Sequence, residues 1–221
     1  RPGGPPAAAG SVAAVRGLFV TFEGIDRSGK TTQARLLLDA LGDAAVGVRE
    51  PGGTAAGERV RALLKDPAVE LSPAGEALLF AAARAELVAQ VIEPALAAGR
   101  VVVSDRFLDS SLAYQGEARG LGVAEVERVN AFATGGLTPD LTLLLDLDPA
   151  TAGGRGAVED DRFEQEGRAL QEQVAAAYER LVAAAPGRWR RIAADRPPEE
   201  VHADVLAAVE AARRAPAGEE A

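Results

Sequence analysis

Eight consecutive residues, Gly24-Ile25-Asp26-Arg27-Ser28-Gly29-Lys30-Thr31, set two glycines, a lysine and a hydroxyl at the spacing of a phosphate cradle. The glycines let the backbone curl until successive N–H groups face one concavity. A helix starting there turns the positive end of its dipole toward the same point. The loop and Thr32 behind it are therefore expected to hold a nucleoside triphosphate. Lys30 should reach its β- and γ-phosphates and the Thr31 hydroxyl should ligate Mg²⁺. Lysine usage sharpens the assignment, because Lys30 and Lys65 are the only lysines among 24 basic residues.

A second group, Asp105-Arg106-Phe107, directly follows Val101-Val102-Val103-Ser104. If the valines form a strand of a parallel sheet, Asp105 and Arg106 fall at its carboxyl end, where such sheets bind ligands. A carboxylate there suits Mg²⁺, and a guanidinium suits a phosphoryl group in transfer. Asp146, after Leu143-Leu144-Leu145, is the alternative carboxylate. The arginine and polar helix start behind Asp105 favour the first.

The elements that must carry these groups alternate. Gly17 to Glu23 reads as a buried strand, and Thr32 to Leu41 as a helix with Ala34, Leu37, Leu38 and Leu41 on one face. A weaker strand, Ala45 to Val48, runs into the Pro- and Gly-containing loop 49–54. Helices are expected over about 55–65, 74–98, 109–117, 122–134, 164–184 and 198–214, with strands at 100–104, 141–147 and 188–193. Such repeats predict an α/β fold of the P-loop kind, a parallel five-stranded sheet with helices on both faces and right-handed crossovers. Residues 16–214 are read as one domain. The Gly-rich, charged stretch at about 152–166 is read as a small mobile lid, and 1–15 and 215–221 as a disordered leader and tail.

Bulk properties exclude several classes. A net charge of −9 argues against a nucleic-acid binder, which needs a basic face. The absence of cysteine removes disulfides, thiolate catalysis and cysteine-based zinc sites. No apolar run approaches the roughly 20 residues that span a bilayer, so no membrane partner is expected and the cytoplasm is the default compartment. An Asn-Lys-x-Asp guanine-reading sequence is missing, which counts against a GTPase.

Six blocks, in order, resemble the thymidylate kinase family: Phe22 to Gln33, Arg49 to Thr54, Leu78 to Arg84, Asp105 to Gly116, Thr138 to Leu147 and Asp161 to Glu164. The similarity covers about 17–193, and Asp-Arg-Phe through Tyr-Gln-Gly is its most specific part. It implies an enzyme that phosphorylates thymidine monophosphate with ATP and Mg²⁺, acting as a homodimer. It further implies that Phe80 stacks on thymine, that Arg84 and Gln115 bond the base edge with support from Ser111, and that Asp26 holds the 3′-hydroxyl. Tyr114 would crowd the ribose 2′ position, and Arg61 and Arg106 would grip the monophosphate with Glu50 nearby. The expected catalytic set is Arg27, Lys30, Asp105 and Arg106, with Thr31 and Asp105 at the metal.

The chain departs from one bacterial pattern of this family, in which the lid is arginine-rich. Residues 152–162 hold only Arg155 and Arg162 beside three acidic residues. Arg27 inside the loop resembles the branch that places its catalytic arginine there, so Arg27 is expected to bridge donor and acceptor phosphates, with Arg155 as a lid contact to ATP. The competing readings are a kinase of another nucleoside monophosphate or a deoxynucleoside, and a non-catalytic nucleotide switch.

Overall fold

Strand burial follows directly from the apolar runs. The computed structural model describes residues 16–155 and 167–214. Among them, β1 (Phe19–Glu23), β2 (Ala45–Arg49), β3 (Val101–Asp105), β4 (Leu141–Asp146) and β5 (Trp189–Ala193) form one parallel sheet in the order β2-β3-β1-β4-β5. All of β1, Val101 to Ser104 and Leu141 to Leu145 are buried, as strands covered on both faces must be. In the edge strand β2 only Ala45 is buried and the other positions are partly or fully open, in keeping with its weak apolar signal. The predicted leader, the tail and positions 156–166 of the predicted lid lie outside the described residues.

The helices are α1 (Lys30–Leu41), α2 (Ala55–Lys65), α3 (Pro73–Leu87), α4 (Glu93–Ala97), α5 (Leu108–Ser111), α6 (Val123–Thr134), α7 (Pro149–Gly153), α8 (Gly167–Ala184) and α9 (Pro198–Arg214). They cover both faces of the sheet. On one, Val20 and Phe22 pack with Leu37 of α1, Val174 of α8 and Val205 of α9. On the other, Phe19 and Val102 pack with Leu87, Ile92, Phe107 and Leu112. The three-layer α/β sandwich expected from the alternation is the fold.

Two predicted helices differ in detail. The continuous helix expected over 74–98 widens into a π turn at Val88–Ile92. Pro94 follows at once; it has no N–H to give to the carbonyl one turn back, and its ring crowds that carbonyl. The helix expected over 109–117 is a short α5 followed by a π segment, Leu112–Ala118. Wide turns of this kind recur at functional sites, and this one carries Tyr114 and Gln115.

Neighbouring strands β1 and β3 send their outgoing connections to opposite sides of the sheet. A crevice opens at their carboxyl ends, with Phe22 beside Asp105 in register.

Candidate active site

The crevice is a cavity of about 720 Å³ with a phosphate-loop end and an aromatic–amide end. Asp26, Arg27, Gly29, Lys30, Thr31 and Thr32 line the first, and Phe80, Arg84, Ser111, Tyr114 and Gln115 the second. Asp105, Arg106, Glu50, Arg61 and Arg155 also line it, as do Arg49 and Lys65, which sequence reasoning did not single out. Among the predicted site residues, Gly24, Ile25 and Ser28 stand in the loop behind this wall.

The loop adopts a backbone that its glycines permit. Gly24 has φ +137°, and a Cβ there would stand 2.7 Å from the Leu145 carbonyl oxygen. Arg27 accepts a left-handed φ of +63° without being glycine, a conformation that costs on the order of 1–2 kcal/mol. Helix α1 starts at Gly29 with no side-chain cap, whereas Thr54 caps α2 and Ser72 caps α3. The first N–H groups of α1 are thus left for an anion.

The Lys30 ammonium folds back onto the loop, donating to the carbonyl oxygens of Gly24 at 3.1 Å and Ile25 at 2.6 Å. Burial pulls its pKa down to about 8, helped by the charge of Arg106 and opposed by Asp26 and Asp105. The Thr31 hydroxyl donates to Asp105 Oδ2 at 2.5 Å. Asp146 is half-exposed and bound to Arg191 at 2.9 Å, which also holds Glu179. Thr31 thus meets Asp105, the carboxylate favoured from sequence, and Asp146 is bound elsewhere.

Arg27 and Arg155 are reciprocally tied. Arg27 donates to the Arg155 carbonyl and Arg155 to the Arg27 carbonyl, both at 3.2 Å, and Arg155 also donates to Ala194 O at 2.7 Å. Arg106, at a left-handed φ of +73°, crosses from the end of β3 to the loop. It pairs with Asp26 and donates to Gly24 O at 3.2 Å and Ser110 Oγ at 3.0 Å. Its guanidinium also lies 5.3 Å from the Tyr114 ring centre. Burial would raise the Asp26 pKa, but the charges of Arg106 and Lys30 hold it below the ordinary carboxylate range. Gln171 of α8 fixes Asp26 from behind, donating to its carboxylate at 2.7 Å and accepting its N–H at 2.9 Å.

At the other end Arg84 is fully engaged. Glu50 takes Nε at 2.8 Å and Nη2 at 2.5 Å, Ser111 and Asn130 take Nη1, and Phe107 O takes Nη2 at 3.3 Å. All five guanidinium N–H groups thus have acceptors inside the protein. A base edge would share Nη1 with Ser111 rather than meet an open donor. Burial pushes the Glu50 carboxyl above its ordinary range even against Arg84. Gln115 donates its amide to Glu76 Oε1 at 2.8 Å, Phe80 is half-buried, and Arg61 donates to Pro51 O at 2.9 Å.

Sequence reasoning missed this supporting layer of Glu23, Glu76, Asn130 and Gln171. Glu23 had a signal, an acidic residue closing a largely apolar strand. The others look like ordinary helix polars. Burial, reinforced by Asp109, lifts the Glu23 carboxyl to about 7, against hydrogen bonds from Ser110 and Tyr178 and the charge of Arg106.

A family profile described as thymidylate kinase matches residues 22–205. The chain belongs to the thymidylate kinase family. It is 50% identical over 206 residues to the thymidylate kinase of Pelotomaculum thermopropionicum, covering 89% of this chain and 94% of that one. Against the thymidylate kinase of Deinococcus radiodurans it is 48% identical over 199 residues, covering 88% and 97%. Among solved structures, thymidylate kinase from Ehrlichia chaffeensis superposes with a TM-score of 0.74 at 31% identity, covering 88% of this chain and 99% of that one. Membership makes the chain a phosphotransferase of thymidine monophosphate, with ATP implied as donor.

Proposed function

We propose that the two ends of the cavity divide one reaction, ATP at the loop end and thymidine monophosphate at the aromatic–amide end. An acceptor phosphate oxygen forms a bond to the γ-phosphorus, the bond from that phosphorus to the β–γ bridging oxygen breaks, and ADP leaves with the electron pair. The acceptor phosphate is already ionised at neutral pH, so no general base is required. Positioning and charge neutralisation supply nearly all the catalysis. The observation that carries this division is Arg106, which joins the loop end to the acceptor end through Asp26, Gly24 and Ser110.

Lys30 and Arg27 exchange their backbone acceptors for phosphate oxygens, and Arg27 bridges donor and acceptor. Arg155 contacts the donor nucleotide. Arg106 and Arg61 hold the acceptor phosphate, with Glu50 behind. Phe80 stacks on thymine, while Arg84 and Gln115 read the base edge with Ser111. Asp26 takes the 3′-hydroxyl and Tyr114 closes the 2′ position.

Thr31 and Asp105 fit Mg²⁺: a hydroxyl and a carboxylate in contact are the hard oxygen donors it prefers, with phosphates and water completing the shell. Held there by Thr31 and Asp105, Mg²⁺ would offset the negative charge of the donor phosphates. No cluster of three His, Cys, Asp or Glu side chains suited to a metal occurs among the described residues. We further propose a homodimer. Phe132 is 92% exposed on α6 and Leu78 is 58% exposed on α3, apolar side chains that a second copy would cover. No described helix is long and apolar enough to cross a membrane, and cytoplasmic dTTP synthesis is the proposed setting.

The test is ADP release from ATP and Mg²⁺ with each nucleoside monophosphate supplied separately. Thymidine monophosphate should lead. Its deoxyuridine analogue should trail by about 10–200-fold, the worth of one methyl in an apolar pocket. Equal rates with both would remove the base-pocket assignments, and no acceptor-dependent ADP would leave a nucleotide switch.

A further inference from the structure

Glu23 is completely buried at the end of β1, makes no ion pair with an arginine or lysine among the described residues, and stands behind the cavity wall, which it meets through Ser110. A carboxyl so placed is costly, and its three donors come from two segments, the start of α5 and helix α8. The Phe107 N–H donates to Oε1 at 2.8 Å, and the hydroxyls of Ser110 and Tyr178 donate to Oε2 at 2.6 and 2.8 Å. Two of these donors flank Arg106. Phe107 is the next residue, so its N–H pins the peptide that leaves the left-handed turn. Ser110 receives Arg106 Nη1 on the same oxygen that donates to Glu23.

The guanidinium thus donates to Ser110 and Ser110 to the carboxyl, with Tyr178 Oη 3.1 Å from the same Ser110 oxygen. Because Ser110 has a single proton, a partner that donated to it would turn that proton away and compete with Arg106 for its lone pairs. We propose that Glu23 is a positioning residue for phosphoryl transfer: through Ser110 and the Phe107 N–H it fixes the backbone and the guanidinium of Arg106. This rests on the assignment of Arg106 to the acceptor phosphate. Glu23 itself touches no substrate.

The test is a double-mutant cycle on the full chain, read as kcat and KM for thymidine monophosphate and KM for ATP. Glu23→Gln keeps the volume but must turn an N–H toward one of the three donors. It should lower acceptor kcat/KM by about 10²-fold, the scale of a displaced catalytic group, and leave KM for ATP nearly unchanged. In an Arg106→Ala background the same change should do little more, because residues acting through one another are not additive. Ser110→Ala cuts the link with a small perturbation and should reproduce the pattern if Glu23→Gln fails to fold. Additive losses in either cycle, or equal damage to both substrates, would overturn the role of Glu23 while leaving Arg106 in place. An Arg106→Ala variant with unaltered acceptor kinetics would instead bring down the assignment of Arg106, and this inference with it.

Discussion

The two ends of the cavity hold their cations by different means. At the aromatic–amide end, Arg84 is gripped by the buried Glu50 carboxylate and three further acceptors. At the loop end, Lys30 rests on neutral oxygens, the carbonyls of Gly24 and Ile25. A pair of opposite charges adds a Coulomb attraction that a cation resting on a neutral carbonyl lacks. On the proposed division of the cavity, a phosphate would draw Lys30 from its carbonyls more readily than a base would draw Arg84 from Glu50. One end is assembled as part of the fold; the other is held in waiting by groups its ligand replaces.

The largest effect that would test this contrast is catalytic. Arg27→Ala should lose about 10³–10⁵ in turnover, as removal of a bridging arginine does in related phosphoryl transfers, while ATP binding measured by titration calorimetry changes much less. Near-normal turnover would take Arg27 out of the reaction. The next is structural: Glu50→Ala strands a buried guanidinium and should destabilise the protein by about 3–5 kcal/mol in urea unfolding. Arg155→Ala, on the loop side, loses only bonds to carbonyls and should stay near about 1–3 kcal/mol. Comparable losses from the two would erase the distinction.

Glu23, behind Ser110 and Arg106, adds a dependence on pH. Its folded pKa of about 7 stands above the ordinary 4.5, so the folded state keeps a proton that the unfolded chain loses between those values. Its contribution to stability therefore falls as pH rises from about 4.5 to about 7, and the penalty, on the order of 3 kcal/mol, is complete above that. Glu23→Gln has no such proton. The unfolding free energy of the variant minus that of the parent should climb across the window, and a flat difference would mean an ordinary carboxyl. The smallest effect concerns Asp146, whose pair with Arg191 is largely exposed. Asp146→Asn should shift stability by less than about 1 kcal/mol and leave turnover intact, whereas Asp105→Asn should impair it at limiting Mg²⁺.

How much of this was legible beforehand follows the same division. The cradle is contiguous, so spacing alone located Gly24 to Thr32, and the valine strand placed Asp105 and Arg106 at its carboxyl end. The acceptor wall was reached through family resemblance rather than spacing. The layer beneath it is non-local: Arg84 meets Asn130 from α6, and Asp26 meets Gln171, 145 positions away. Such partners have no periodic signature. The π turns escaped for a related reason, since a helix with Leu112 to Ala118 apolar on one side looks the same whether it closes on the fourth or the fifth residue. Pro94 was the visible mark of the other turn.

The scarcity of lysine has a practical consequence. Both lysines of the chain, Lys30 and Lys65, line the one cavity, and burial brings Lys30 to about 8. Apart from the chain terminus, an amine-selective acylating reagent meets no other primary amine on the molecule. Covalent labelling at mildly alkaline pH thus becomes a footprint of the catalytic crevice, and protection by bound nucleotide can be counted directly on the intact mass of the protein.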